Sequence, residues 1–311
     1  MFHSIGIDVH QSTLVVADNT GGTWTFPRDD KGLAALSRML HSHPCSIVAM
    51  EPSGGYERRI LRVCWDDGIP VTLVNTWRVR AWITGEGIRV KTDAIDARML
   101  ARFAADKQLI PMKQPEQTRL QLQELVRARR RLTEQAVSIE QQLIVAETLT
   151  RSAFEDVLAV IRTKIDEFEV QIKTLVSTSP QLREDHKIVQ SVPGLGETTS
   201  AMLLAEVPEL GVWSTKQVSA LLGVAPITRQ SGKSLDQGRI WGGRARVRSA
   251  LWMPTLVARR WNPVIRAFAE RLKAGGKPGK VVTIACMHKL ITIVSAMLRN
   301  RTVWDPETAF A

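Results

Sequence analysis

The sequence lacks several features that would place it in other classes of protein. Its three cysteines, Cys45, Cys64 and Cys286, are scattered and odd in number, which argues against a disulfide framework or a zinc site. No run approaches the roughly 18 uncharged apolar residues of a membrane span. The first residues, MFHSIGIDVH, lack the charged start and apolar core of a signal peptide. These absences predict a cytoplasmic protein of bacterial type that has no membrane partner.

Acidic residues are scarce in one part of the chain. Residues 227–301 carry 16 Lys and Arg against Asp236 and Glu270, a net charge of +14 in a chain whose total is +11. The remainder of the chain is therefore mildly acidic. A basic region beside an acidic one is typical of a protein that holds a polyanion with one part, and it predicts nucleic acid as the partner.

Residues 1–110 have the pattern of an α/β domain. Three short strands in a meander (SIGIDVH, STLVVAD and TWTF) precede a helix, and SIVAM and PVTLV are then two buried strands separated by another helix. The segment KTDAIDARMLARFAADKQ predicts a further helix with Thr92 as its N-cap. We therefore expect a mixed sheet flanked by helices.

The remaining residues read as helical. Residues 111–183 have heptad spacing interrupted near 147–155, which predicts two long coiled-coil helices paired as a hairpin or with a second chain. Residues 184–311 predict helices joined by glycine-rich loops. Within them, the turn at Gly194 and Gly196 followed by a helix has the pattern of a helix-hairpin-helix motif, whose backbone N–H groups face a phosphate. A plain helix–loop–helix turn is the alternative.

Four carboxylates fall where strands and helices would present them together. Asp8 ends the first strand, Glu51 directly follows the buried run SIVAM, and Asp93 and Asp96 lie three apart on one helix face. Such a cluster repels itself unless cations neutralise it, and oxygen ligands suit Mg²⁺ or Mn²⁺. The combination predicts a catalytic site for two metal ions acting on a phosphodiester. His10 is interpreted as a strand-end polar residue.

Basic residues are candidate nucleic-acid contacts throughout the chain, although each is also compatible with a solvated surface. Those that precede the Asp pair or lie on the middle helices are Arg78, Arg80, Arg89, Lys91, Arg129 and Arg130. Those of the C-terminal region are Arg229, Lys233, Arg244, Arg246, Arg248, Lys277 and Lys280. Between Arg229 and Lys233 stands Ser231, a potential nucleophile, with Ser234 as its close competitor.

At these motifs the chain resembles a known family. IGIDVHQSTLVVAD, EPSGGY, KTDAIDARMLA, VPGLGETTSAMLLAE and LLGVAPITRQSGKS, in this order, are similar to the DEDD-type insertion-sequence transposases called bridge recombinases. These form insertion sequence family 110, and the resemblance implies its 1111 subgroup. The resemblance implies an RNase H-like, RuvC-like N-terminal domain at 1–110, coiled-coil helices at 111–183 and a mainly α transposase domain at 184–311.

The resemblance also implies a mechanism. It assigns catalytic and metal-binding roles to Asp8, Glu51, Asp93 and Asp96, and makes Ser231 the nucleophile of a phosphoserine intermediate. It implies a structured guide RNA that pairs with donor and target double-stranded DNA. It further implies a homodimer that assembles to a tetramer on DNA, at the nucleoid, with an active site shared between protomers.

Three other functions remain open from the residues. A RuvC-like junction nuclease would use the same carboxylates and water, without a covalent serine step. An actin-like or sugar-kinase-like ATPase also begins with a strand carrying an early Asp, but no second glycine-rich phosphate loop follows here. A non-catalytic RNA- or DNA-binding protein would have the same basic region.

Overall fold

The chain folds into two compact units, residues 1–114 and 115–311. The computed structural model describes residues 3–88, 92–227, 230–231, 234–235 and 239–307, and of residues 230–231 and 234–235 it describes the backbone alone. We call the two units the N-terminal unit and the C-terminal unit. The second holds the middle helices together with the C-terminal region.

A five-stranded mixed sheet forms the centre of the N-terminal unit. Its elements are β1 (Ser4–Val9), β2 (Thr13–Asp18), β3 (Thr23–Pro27), α1 (Asp30–Ser42), β4 (Ile47–Met50), α2 (Glu57–Asp66), β5 (Val71–Leu73), α3 (Thr76–Gly85) and α4 (Asp93–Lys107). The strand order is β3-β2-β1-β4-β5. The first three strands are antiparallel, and β4 lies parallel to both β1 and β5. The predicted mixed sheet is confirmed.

The two faces of this sheet carry separate apolar cores because side chains alternate along each strand. On one face Ile5 and Ile7 pack with residues of α1 and α2. On the other face Ile47 and Ala49 pack with residues of α3 and α4. The helix α3 was not among the predicted elements, since WRVRAWITG mixes tryptophan and arginine without a clear apolar face and buries only Val79.

The C-terminal unit is mostly helical. Its elements are α5 (Gln117–Val145), α6 (Thr148–Thr178), α7 (Pro180–Gln190), α8 (Glu197–Glu206), α9 (Thr215–Leu222), β6 (Gln230–Ser231), β7 (Ser234–Leu235), α10 (Ala245–Ala250), α11 (Trp252–Trp261), α12 (Pro263–Ala274) and α13 (Gly279–Asn300). The long helices α5 and α6 form a hairpin that turns at Ala146 and Glu147, at the edge of the predicted interruption.

Helix α13 is the apolar centre of this unit. It is long and apolar enough to cross a membrane by length and composition, although Lys289 prevents any uncharged run of that length. Of its apolar window, 56% is buried inside the fold, against α7, α9, α11 and α12. Residues such as Cys286, Leu290 and Val294 are fully buried there. This burial is that of the core helix of a globular unit.

Candidate metal centre and basic surfaces

Two neighbouring strands bring Asp8 and Glu51 to one edge of the sheet. In the parallel pairing of β1 with β4, Ile7 lies opposite Met50, so Asp8 and Glu51 are the next residues along the two strands. Alternation also puts both on the face of the sheet that α4 covers. From the sequence, Asp8 and Glu51 were expected to lie close together only if the first and fourth strands are neighbours. The strand order shows that they are.

Small residues let α4 lie directly on β1. A Cβ placed on Gly6 would stand 2.0 Å from the carbonyl oxygen of Ala97 and 2.6 Å from the amide nitrogen of Ala101. The Ser4 hydroxyl donates a hydrogen bond to the Ala101 carbonyl at 2.7 Å, and Ser4 is fully buried. Only glycine permits so close an approach of a helix backbone to a strand. This contact fixes where the start of α4 lies relative to Asp8.

The start of α4 carries the acidic pair. The Thr92 side chain accepts a hydrogen bond from the Ile95 amide, as predicted for the N-cap. Asp93 and Asp96 both lie in the first turn of the helix, where carboxylates interact favourably with its positive end. The cap and the Gly6 contact together direct the pair towards the edge of the sheet at which β1 ends.

His10 lies between two of the four carboxylates. Its Nε2 is 3.1 Å from Oδ2 of Asp8 and 3.4 Å from Oδ2 of Asp93. The residue follows β1, where the sequence places it, but its ring contacts Asp8 and Asp93 rather than solvent alone. The sequence analysis missed this role. The two-residue spacing from Asp8 was the available signal, because alternation returns His10 to the same face.

The four carboxylates act on one another electrostatically. Burial raises the pKa of Asp8; His10 partly opposes this, and the negative charges of Asp96 and Asp93 raise the pKa further. Burial likewise raises the pKa of Glu51, against a hydrogen bond with Thr76 and the positive charge of Arg80, while Asp8 and Asp96 add to the rise. Carboxylates whose pKa values are raised by burial and by neighbouring negative charges are typical of functional sites.

The donor set fits a divalent metal ion. One atom each of Asp8, His10 and Asp93 lies within 4.8 Å of the other two, which is a spacing that a single ion could bridge. Glu51 and Asp96 add carboxylates within electrostatic reach. Carboxylate oxygens are typical ligands of Mg²⁺ and Mn²⁺, and an imidazole nitrogen is better suited to transition metals. A divalent metal centre at this edge agrees with the donor chemistry.

The loop after Glu51 is held by an internal carboxylate. Oε2 of Glu57 accepts hydrogen bonds from the Ser53 amide at 3.0 Å, the Ser53 hydroxyl at 2.9 Å and the Gly55 amide at 2.8 Å. Burial alone would raise the pKa of Glu57, but these bonds lower it below its usual value. Glu57 therefore stabilises the loop that leaves the metal centre. Its sequence signal, an acidic residue beside Gly54 and Gly55, is weak.

Predicted basic residues of the N-terminal unit have different outcomes. Arg80 is exposed on α3, and its charge acts on Glu51, so it lies near the carboxylates. Arg78 is also exposed on α3. Arg89 and Lys91 lie outside the described residues. Of the two predicted cations of this unit that the structure describes, Arg80 is the one whose charge acts on a carboxylate of the cluster.

The C-terminal unit presents Ser231 on a short hairpin. Its backbone lies in β6, paired antiparallel with Ser234 of β7. The side chains of both serines, and all of Arg229 and Lys233, lie outside the described residues. An isolated bridge between Ile227 and Arg239 continues the pairing away from the hairpin tip. The sequence did not predict these strands, because QSGKSL has no apolar alternation.

Several predicted phosphate contacts have internal partners instead. Arg244 makes two 2.6 Å bonds to the Glu209 carboxylate, and Arg129 Nε donates to Glu169 at 2.8 Å. Arg248 Nη1 contacts backbone carbonyls of its own unit. A phosphate contact by these three arginines would have to break these bonds. The sequence could not reveal this, because all of these partners are at least 25 residues away along the chain, apart from the Gly242 carbonyl that Arg248 contacts.

The other predicted cations are more exposed. Arg246 is exposed on α10, Lys277 in the loop before α13, and Lys280 at the start of α13. Arg130 is half-buried and lies 3.7 Å from Glu134 on the same helix. The exposed residues keep the positive charge of the C-terminal unit available to a polyanion.

The predicted phosphate-binding turn has a packing function. Gly194 has φ +105°, and a Cβ on it would lie 2.7 Å from the backbone of Ala258, so glycine is required where the turn meets α11. Gly196 is the N-cap of α8 and provides no side-chain cap. Glu197 in the first turn pairs with Lys173 at 3.1 Å, which puts a carboxylate where the phosphate was expected. Phosphate binding at this turn stays a prediction.

Comparison with known proteins gives two family matches. Residues 5–151 match a transposase model named for a DEDD residue set and IS110, and residues 186–270 match the transposase IS116/IS110/IS902 family. A pilin gene-inverting protein of Moraxella bovis is 28% identical over 313 residues, covering 97% of each chain. An uncharacterized 43.6 kDa protein of insertion element IS110 from Streptomyces coelicolor is 27% identical over 53% of this chain and 42% of its own length.

Solved structures give a much weaker likeness. Thermus thermophilus RuvC in complex with a Holliday junction substrate is 15% identical and covers 36% of this chain and 100% of its own, with a TM-score of 0.30. The same protein in another structure has a TM-score of 0.27. The strand order β3-β2-β1-β4-β5 itself defines the fold of the N-terminal unit.

Proposed function

The chain belongs to the IS110 family of transposases, and on that premise we propose that it is an RNA-guided, site-specific DNA recombinase of an insertion sequence. Members of the family cleave and rejoin DNA. The observation that carries the proposal is the convergence of Asp8, Glu51, Asp93 and Asp96 at one edge of a RuvC-like sheet. Double-stranded donor and target DNA are its substrates.

The four carboxylates hold the metal ions in this proposal. Two divalent ions, Mg²⁺ or Mn²⁺, would supply Lewis-acid polarisation of the scissile phosphate when bound. Asp8 and Glu51 come from rigid strands and Asp93 and Asp96 from a capped helix, so the ligand positions are set before DNA arrives. His10 orients Asp8 and Asp93, and Arg80 attracts the phosphate towards this edge.

Ser231 is the proposed nucleophile. Its Oγ attacks phosphorus, the bond from phosphorus to a deoxyribose oxygen breaks, and a phosphoserine ester forms. The serine proton is released, and the departing sugar oxygen gains a proton to become a free hydroxyl. Attack by a sugar hydroxyl on the ester reverses these changes and rejoins DNA without ATP. Two protomers of a homodimer, assembled to a tetramer on nucleoid DNA, complete the site.

A guide RNA supplies sequence recognition in this proposal. The +14 charge of residues 227–301 and the exposed Arg246, Lys277 and Lys280 favour contact with phosphates rather than with base edges. Purification from cells that carry the native element, followed by RNA sequencing, should return one discrete structured RNA. Recovery of only bulk cellular RNA would contradict guidance.

The serine step separates this proposal from a RuvC-like nuclease. Ser231→Ala should abolish covalent protein–DNA adducts on a gel while RNA binding persists. Ser234→Ala is the matched control, because Ser234 lies opposite Ser231 in the same hairpin, and it should retain the adduct. Free nicked ends from the Ser231→Ala protein would support the metal-dependent nuclease instead.

A further inference from the structure

The segment that carries Ser231 leaves α9 and returns to α10 at one point. Gly223, which ends α9, has φ +65°, and Gly243, which precedes α10 by two residues, has φ +69°. A Cβ on Gly243 would lie 2.4 Å from the Gly223 amide nitrogen, and one on Gly223 would lie 2.4 Å from the Gly242 carbonyl oxygen. The two ends therefore touch backbone to backbone, with no room for a side chain.

One guanidinium group joins these two ends. Nη1 of Arg248 lies 3.0 Å from the Leu222 carbonyl oxygen, 3.3 Å from that of Gly223 and 2.9 Å from that of Gly242. Leu222 and Gly223 lie at the C-terminus of α9, where carbonyls lack helical partners and carry partial negative charge. Arg248 thus donates hydrogen bonds to the free carbonyls at the end of α9 and to the Gly242 carbonyl of the returning segment.

Among the described residues, further backbone pairings lie between this junction and Ser231. The Arg244 amide donates to the Leu221 carbonyl at 2.8 Å, next to the junction. Further along, Ile227 and Arg239 exchange hydrogen bonds of 3.0 and 3.2 Å, and Ser231 then pairs with Ser234. The described pairings hold the two arms of this segment beside each other on both sides of the gaps at 228–229 and 236–238, so closing the junction restricts where the hairpin can lie.

We propose that Arg248 is a positioning residue that closes the base of the Ser231 hairpin and thereby sets where the Ser231 backbone lies. The inference rests on the proposed role of Ser231 as nucleophile. It gives Arg248 a different role from the phosphate contact that its charge first indicates. Its half-buried guanidinium directs Nη1 at three carbonyls of its own unit.

The two roles of Arg248 predict different kinetics. A phosphate contact contributes to DNA affinity, so its loss is overcome by saturating DNA. A positioning residue contributes to the rate at saturation, because small misplacements of a nucleophile are costly. Arg248→Met should therefore slow adduct formation by on the order of 100-fold at saturating DNA, with DNA affinity unchanged. Arg248→Lys should recover most of the rate, since its ammonium group donates three hydrogen bonds.

Substitutions at two adjacent glycines test the junction without a measurement of enzymatic activity. Gly242 and Gly243 both have left-handed backbone, with φ +67° and +69°, but a Cβ on Gly242 meets nothing within 4 Å. In the DNA-free full-length protein, Gly243→Ala should lose hydrogen-exchange protection at the Ile227 and Arg239 amides. Gly242→Ala has the same backbone cost and should keep that protection.

These results distinguish failure of the inference from failure of the proposed function. Equal protection in the two glycine variants would overturn the junction. An Arg248→Met protein with wild-type rate at saturation, or with a defect in affinity alone, would overturn the positioning role. An active Ser231→Ala protein would instead remove the proposed nucleophile while leaving the exchange result intact.

Discussion

The two units build their candidate chemistry in opposite ways. The N-terminal unit gathers Asp8, Glu51, Asp93 and Asp96 from three regular elements, two strands and a capped helix. The C-terminal unit carries Ser231 on an irregular segment between α9 and α10 that is closed by glycines and Arg248. The difference teaches that the candidate metal ligands lie on regular elements, whereas the candidate nucleophile lies on a segment whose two ends are held together by tertiary contacts.

The units also use charge differently. In the N-terminal unit, like charges are brought together, and burial with mutual repulsion raises the pKa of Asp8 and of Glu51. In the C-terminal unit, opposite charges are paired internally. Burial would raise the pKa of Glu206, but hydrogen bonds from Arg127 lower it below its usual value. Clustered carboxylates with raised pKa values are thus typical of a functional site, while Glu206 is paired with Arg127 within its own unit.

The largest effect is expected from Asp8. Asp8→Asn removes a carboxylate charge at the centre of the acidic cluster and should lower the DNA cleavage rate by on the order of 1000-fold. Asp30→Asn is the control, because that side chain is 91% exposed and far from the cluster in sequence. Single-turnover cleavage of end-labelled DNA measures both. Equal cleavage rates for the two variants would contradict a special role for the acidic cluster of the N-terminal unit.

The next largest effect is expected from a substitution at the contact between α4 and β1. Gly6→Ala places a methyl group against the backbone of α4, which should destabilise the N-terminal unit by about 3 kcal/mol. Gly85→Ala, at the end of α3, meets nothing within 4 Å and should cost no stability. Denaturant unfolding monitors both variants. A Gly6→Ala protein as stable as the Gly85→Ala protein would show that the helix does not depend on this approach.

An exposed and a paired arginine should differ in DNA binding. Arg246→Gln should reduce the slope of log affinity against log salt by about 1, because an exposed cation releases a counterion on binding phosphate. Arg129→Gln should leave the slope unchanged, since Glu169 already neutralises Arg129. Binding titrations at several salt concentrations test this. Equal slopes would mean that internal pairing does not decide which cations meet DNA.

The smallest effect concerns pH in the absence of divalent metal. The folded state raises the pKa of Asp8 above its ordinary 3.8 through burial, so ionised Asp8 costs stability as the pH rises through the raised value. Asp8→Asn should therefore raise the melting temperature by a few degrees at pH 7 and change it little at pH 4. Thermal melts at both pH values check this. A stabilisation that was equal at both would contradict the raised pKa.

The sequence predicted the positions of the four acidic residues on their strands and helix for a physical reason. Asp8 and Glu51 lie beside strands whose alternation fixes their direction, and Thr92 sets where the helix with Asp93 and Asp96 begins. These are local rules, whereas the proximity of Asp8 to Glu51 also depends on the strand order. His10 was the exception, because its contact with Asp93 spans 83 positions and no local rule reports it.

The contacts of the basic residues were predicted less well for the opposite reason. The composition of the basic region reveals positive charge but not which guanidinium groups are already engaged. The bond from Arg244 to Glu209 and that from Arg129 to Glu169 join residues 35 and 40 positions apart. The requirement for glycine at Gly194 and Gly243 also depends on backbone packed from elsewhere in the fold. Only the folded structure contains that information.

The central claim is that carboxylates of the N-terminal unit and the serine of the C-terminal unit act in one reaction. Peptide mass spectrometry of protein trapped on DNA tests it most directly, in wild-type protein and in Asp8→Asn. We predict that wild-type DNA is linked to the peptide containing Ser231 and that Asp8→Asn yields no linked peptide. DNA cut to free ends with no linked peptide, or linked to a different residue, would contradict the account.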